Sequence, residues 1–400
     1  MTLADPMSAI PQSNSTAKAA PQVRVRDPRL DFFRGIAMFI ILIAHVPANW
    51  LTLWIPARFG FSDATETFVF CSGMASAIAF GSVFRNQGLG MGTARVAFRT
   101  WQVYWAHIVL FIAIAATMVL MTRIFPEGRD YVGQLNLHPF FNRPEENLLG
   151  LLTLTYVPNY FDILPMYLVI LALIPVMVAL ANVHVGLAVL ASLLMWLSAN
   201  VLGWNFPAEP WSEREWFFNP FGWQLIFFTG FALMSGWIPV PPVSKRLFWA
   251  AVAIVLIILP VAYFRIHREI QFFADIRGQI GFLIHKTDFG ALRYVHFLAT
   301  AYIAWVLVGP KGANIMPSGS GRILSVIWSY ILAAIMKVGQ QSLAVFITSM
   351  FLARMLGVLF DQVGRTHLTM FWVNALGFAI IIALAYGVGW FKTQPWKKRA

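Results

Sequence analysis

Apolar runs long enough to cross a bilayer recur along the chain, near residues 31–50, 64–84, 96–121, 163–182, 185–203, 220–238, 247–264, 290–309, 340–360 and 370–391. A helix rises about 1.5 Å per residue and needs about 20 apolar residues to cover the hydrocarbon core. The pattern therefore predicts an all-α polytopic membrane protein with about ten transmembrane helices. Two further segments, 148–157 and 324–336, are shorter or more mixed, and each reads as a half-helix or an extra span. The loops at 122–161, 204–219 and 265–289 are longer and mix acids with bases.

The balance of residue types agrees. Of 400 residues, 59% are hydrophobic and 12% charged, whereas soluble domains carry about a quarter charged residues. The surplus apolar surface must face lipid. A net charge of +12 could suggest nucleic acid, but the basic residues sit mostly in short loops between apolar runs. Arg85, Arg95, Arg99, Lys245, Arg246, Lys311 and Arg322 fall on one side if the N-terminus is cytoplasmic, which is the positive-inside bias. An even span count then puts both termini in the cytoplasm. Residues 1–28 are rich in Ala, Ser, Pro and Gln without a secretory apolar stretch, and read as a disordered cytoplasmic tail. Residues 29–393 form the membrane domain and 394–400 a basic cytoplasmic tail. A single cysteine, Cys71, excludes an internal disulfide.

Polar residues inside the apolar runs carry the candidate chemistry. The first run, "RLDFFRGIAMFIILIAH", holds Asp31, Arg34 and His45, and ionisable groups in a membrane segment are costly unless they face a cavity or a partner. Arg34 and His45 are eleven residues apart, about 20° beyond three full turns, so they share a helix face about 16 Å apart along the axis. They cannot touch, but they can line one channel. Asp31 can pair with Arg34 at i, i+3. The second run starts at "FSDATETFVFCSG", bringing Asp63 and Glu66 back to the depth of His45. A carboxylate there can orient a histidine that acts as a general base; both acids also suit a helix N-cap.

Further polar positions at the same depth are Asp162, Asn219, Trp223, Gln224, Lys286, Asp288, Arg293 and His296. Arg29, Arg34, Arg95, Arg99 and Trp101, with Gln340, Gln341 and Ser342, lie on the cytoplasmic half. The pattern thus predicts a basic cytoplasmic zone suited to phosphates and a carboxylate- and histidine-bearing zone opening away from it. His138 in the outer loop "NLHPFF" is a candidate for substrate contact. The remaining histidines show no metal-ligand spacing, and no metal site is expected.

The Arg34-x10-His45 spacing resembles the first-span signature of the membrane acyltransferase-3 superfamily. The ordered set "RDPRLDFFRGIAMFIILIAHVP", "FGFSDATETFVFCSG", "LPMY", "WFFNPFGWQL" and "KTDFGALRYVHFLA" is similar to one branch, the OpgC family of osmoregulated periplasmic glucan succinyltransferases. The resemblance covers most of the chain after residue 24. It implies a multi-pass enzyme of a bacterial inner membrane that takes succinyl from cytoplasmic succinyl-CoA, a co-substrate rather than a resident cofactor, to hydroxyls of a periplasmic glucan. It makes 29–393 the acyltransferase domain, His45 the catalytic histidine and Arg34 its signature partner. Two positions depart: the Arg-x-x-Arg pair of relatives is Arg95-x-x-x-Arg99 here, and Gln341 precedes Ser342 where His or Asn is expected, so no catalysis is assigned there.

The expected site therefore has His45, Glu66, Asp63, Asp31 and Arg34 as its catalytic group. Arg29, Arg34, Arg95, Arg99 and Trp101 would hold acyl-CoA. Asp162, Trp223, Gln224, Lys286, Arg293 and His296 would hold acyl group and glucan, with Lys286, Arg293, Trp223 or Gln224 donating to the oxyanion. One passage would run from Arg34 to His45. Acetyl transfer to another envelope glycan or lipid is the alternative within acyl transfer, and a transporter or flippase the alternative outside it. The expected partners are the glucan, succinyl-CoA and the lipid bilayer, with no nucleic acid; a homodimer stays open.

Overall fold

The computed structural model describes residues 27–317 and 323–397. Of the tail expected over 1–28, residues 1–26, with Arg24 and Arg26, lie outside them, as do Arg322 and the terminal Lys398 and Arg399; Asp27 and Pro28 instead cap and open the first helix. The described chain is helical: α1 Pro28–His45, α2 Ala64–Ile124, α3 His138–Asn142, α4 Pro144–Thr153, α5 Ile163–Val183, α6 Val185–Leu202 and α7 Pro220–Ser235. Then follow α8 Lys245–Ala262, α9 Phe264–His267, α10 Gln271–Gln279, α11 Ala291–Val308, α12 Ile323–Gln340, α13 Ser342–Val363 and α14 His367–Lys392.

Local chemistry sets the ends of the helices that matter. α1 starts where the Asp27 side chain accepts the Arg29 N–H, with Pro28 in the first turn. Proline suits that position because the N–H it lacks would be unpaired there anyway. The helix stops at Val46, before Pro47, since a residue preceding proline disfavours helical backbone. α2 opens on a capping box: Asp63 accepts the Thr65 N–H and Glu66 accepts the Asp63 N–H. It is two helices joined at Gly88, whose φ of 81° and ψ of 177° break the spiral. A residue without Cβ adopts that conformation at little cost.

We call the end of the bundle holding Arg29 proximal and the end holding His45 distal. Among the described residues, eight helices are long and apolar enough to cross a membrane. Among them α2 makes two passes, turning at Gly88. α1, with its charges, and α7, with 16 residues, run through the same bundle.

α12 differs. α11 ends at the proximal face, where Arg29 stacks on Trp305 and donates to the Gly309 carbonyl. α13 begins there too, with Ser342 accepting from Arg34. Within α12, Trp328 donates to the Ile315 carbonyl at 2.7 Å, beside Phe32, and Gly339 lies against the Asp31 backbone. Both halves of α12 thus meet the start of α1, and the helix lies across that face instead of crossing. The ambiguous segment 324–336 is this helix; the other, 148–157, overlaps the short α4.

Glycines bring the crossing helices close. A Cβ at Gly73 of α2 would fall 1.9 Å from the Phe227 carbonyl oxygen of α7, and one at Gly230 would fall 2.3 Å from that of Phe70. Backbones in that contact gain packing that any side chain would forbid. One apolar core runs through α1, α2, α5, α7, α13 and α14.

Candidate active site

His45 sits in the last turn of α1 and lines a cavity of about 500 Å³ on the distal half. Asp63, Tyr160, Asp162 and Lys286 share its wall, with Asn159 and the apolar Ile41, Phe346 and Met350. The imidazole Nδ1 donates to the Ile41 carbonyl, 2.8 Å away. A carbonyl only accepts, so Nδ1 carries hydrogen and Nε2 is the nitrogen left with a lone pair. The sequence pointed to Asp63 or Glu66 as the group that orients the ring. The backbone of α1 does it instead, one turn earlier.

The two carboxylates serve other partners. Asp63 accepts from Lys286 Nζ at 2.6 Å and lies 3.9 Å from Arg293. Glu66 is fully buried and accepts from Arg293 Nε at 2.9 Å, with a second bond from Nη2. Both readings of these acids hold together: they cap α2, and they neutralise the half-buried Lys286 from the loop before α11 and the buried Arg293 of its first turn.

The aromatic side of the cavity was not legible in the sequence. Tyr160 packs edge-on against His45 with centroids 5.3 Å apart, and its hydroxyl donates to the Met350 carbonyl at 2.6 Å. Its φ of 88° is unusual for a residue with a side chain, a strain that must be held by its surroundings. The Arg354 guanidinium lies 3.8 Å over the other part of this stack, on the Tyr160 ring.

Four expected substrate contacts are placed elsewhere. The Trp223 indole N–H is spent on the Lys286 and Thr287 carbonyls at 2.9 and 3.1 Å. Gln224 donates to the Ser192 and Phe221 carbonyls and accepts from the Ser192 hydroxyl. Neither has a donor left for an oxyanion; both tie α7 to its neighbours. His296 accepts the Ser62 N–H at 3.3 Å, meets its hydroxyl at 2.7 Å and packs on Gly60; it fixes the α1–α2 loop. Arg293 lines a second cavity and not this one. Asp162 and Lys286 do line it, and Asp162 also accepts the Phe217 N–H at 3.2 Å. His138 pairs with Asp130 at 2.7 Å in the distal loop. The Gly133 N–H, and then the bond from His138, hold the Asp130 carboxyl below its ordinary value.

The proximal basic zone is dispersed. Arg29 is held by Asp27 at 2.6 Å. Arg34 donates to Ser342, and Asp31 is buried under Gly339. On α2, Arg95 is exposed, Arg99 donates to Gln102 at 3.2 Å, and Trp101 faces outward beside Tyr104 and Trp105. None of these residues lines either cavity.

The expected open passage from Arg34 to His45 is closed. The cavity reaches down to Ile40 and Phe346. There Phe346 stacks on Phe68 with centroids 5.4 Å apart and planes 14° from parallel. One turn further toward the proximal face, Arg34 and Ser342 are bonded, and Met38 between them and His45 is fully buried. Aromatic stacking and close packing make this a real barrier.

A family model described as "OpgC protein" matches residues 26–393. No curated protein and no solved structure matches the chain.

Proposed function

The chain belongs to the OpgC family, a family of acyltransferases, and from that premise we propose that it transfers succinyl from succinyl-CoA to hydroxyls of a periplasmic glucan. The observation that carries this is His45, with Nδ1 committed to Ile41, in a cavity of about 500 Å³ beside the Lys286–Asp63 pair. A half-buried base with a fixed ring and one open lone pair suits deprotonation of a hydroxyl.

Nε2 of His45 takes the acceptor proton as the oxygen bonds to the thioester carbon. The oxyanion collapses, the carbon–sulfur bond breaks, and the imidazolium returns the proton to the leaving thiolate. Ester and free thiol are the products. The Lys286 ammonium meets the distal carboxylate of the succinyl chain, since charge-assisted bonds are strong where water is scarce. The Asn159 amide, in the same wall, offers a donor to the oxyanion. The glucan enters from the distal face, taken as periplasmic. The acyl-CoA comes from the proximal face, and its arm reaches His45 when the Phe68–Phe346 stack parts.

The test is His45→Ala in purified, inserted protein whose thermal unfolding matches the parent. Succinyl transfer should fall by about 10²-fold or more. Retained transfer would reject the assignment.

A further inference from the structure

A second cavity, of about 610 Å³, opens beside the first on the distal side. Its polar wall is His267, Arg277, His285, Lys286 and Arg293, and none of its lining residues is acidic. Gly278 and Gly281 leave it roomy, for a Cβ at either would meet nothing within 4 Å. Lys286 lines both cavities, so they share a wall.

Three acids near this wall are committed to its cations, while Asp275, between Ala274 and Arg277 on α10, accepts from Gln271 at 2.7 Å. Asp63 holds Lys286, Glu66 holds Arg293, and Asp288 holds His285 at 3.0 Å. Arg277 is the exception. It donates to the Val261 carbonyl at 3.0 Å and has no carboxylate partner among the described residues. Burial, and then the nearby Arg293, lower its pKa. Cations crowded around an open volume, one of them without a counter-charge, form an anion site.

We propose that this second cavity is a carboxylate-binding subsite for the acceptor, holding an acidic ester already on the glycan while another hydroxyl of the same chain reaches His45. The inference rests on the reaction proposed above, because succinyl transfer leaves on its product the carboxylate this cavity takes. An acceptor that has been acylated once is then held better than a bare one, and substitution proceeds in succession along a chain. The wall shared with the His45 cavity favours this ligand over an anionic lipid headgroup, which would have no reason to sit beside the reacting hydroxyl.

The experiment uses the full chain in nanodiscs of neutral lipid, with succinyl-CoA and an unsubstituted glucan oligosaccharide. Mass spectrometry counts succinyl groups per glucan over time. In the parent protein, multiply substituted glucan should exceed what independent transfers give. Arg277→Gln should lower the ratio of second to first transfer by about tenfold, the loss of one charge-assisted bond, while the first transfer keeps its rate; Arg277→Lys should restore the ratio. An unchanged distribution in Arg277→Gln overturns the proposal, as does a defect that appears only when anionic lipid is present. Equilibrium binding of succinylated against bare glucan needs no turnover: equal affinities in parent and variant overturn the subsite, whereas loss of all transfer with binding preference intact overturns the reaction instead.

Discussion

His45 Nδ1 donates its hydrogen to the carbonyl oxygen of Ile41 across 2.8 Å. The base is thus aimed by backbone, which no substitution at Asp63 removes. Asp63→Asn keeps an N-cap and should leave kcat within about tenfold of the parent. Where a carboxylate aims a histidine, the same exchange costs about 10⁴-fold. Turnover of glucan by the purified variant separates the two cases.

Glu66 and Arg293 form a buried pair, with side chains 0% and 9% exposed. Removing one charge strands the other, at about 3–5 kcal/mol. Glu66→Gln should therefore destabilise more than Glu66→Gln combined with Arg293→Met. A double-mutant cycle of unfolding free energies measures the coupling, and additive losses would contradict the pairing.

Gly73 meets the Phe227 carbonyl at a spacing no side chain tolerates. Gly73→Ala should cost about 1–3 kcal/mol as α2 and α7 are forced apart. Gly387→Ala is the control, because its Cβ would meet nothing within 4 Å. Equal unfolding temperatures for the two variants would show that the close approach is not stabilising.

Glu209 in the distal loop should confer acid sensitivity. Burial raises its carboxyl, but hydrogen bonds from Arg214 and Ser212 outweigh that and hold it below its ordinary value. The unfolded chain then takes up its proton first. The stabilisation is complete above the unfolded pKa and is lost as pH falls through the folded one. Unfolding temperature followed from about pH 6 to about pH 3 should drop less in Glu209→Gln than in the parent.

Much of this was readable in advance. His45 was legible because an ionisable side chain in an apolar run is costly, and Asp63 and Lys286 because they flank such runs at a depth that helical rise gives; Glu66, inside its run, is spent on Arg293 and does not line the cavity. Trp223 and Gln224 show the limit. A polar side chain on an apolar helix looks the same in sequence whether it faces a cavity or is consumed by Ser192 and the Lys286 carbonyl. Tyr160 could not be found, since its place depends on a left-handed backbone turn in "VPNYFD" that carries no glycine. Nor could the Phe68–Phe346 barrier, because periodicity puts residues on a face and says nothing of whether that face is open.

α12 has one more consequence. It leaves from and returns to the Arg29 end, so it adds no reversal of direction to the thread. Were it tallied as a traverse from its apolarity alone, α13 would hang upside down and Ser342 would be stranded a bilayer away from Arg34, its bonded neighbour. The orientation of everything downstream is therefore settled by a stretch of chain that goes nowhere.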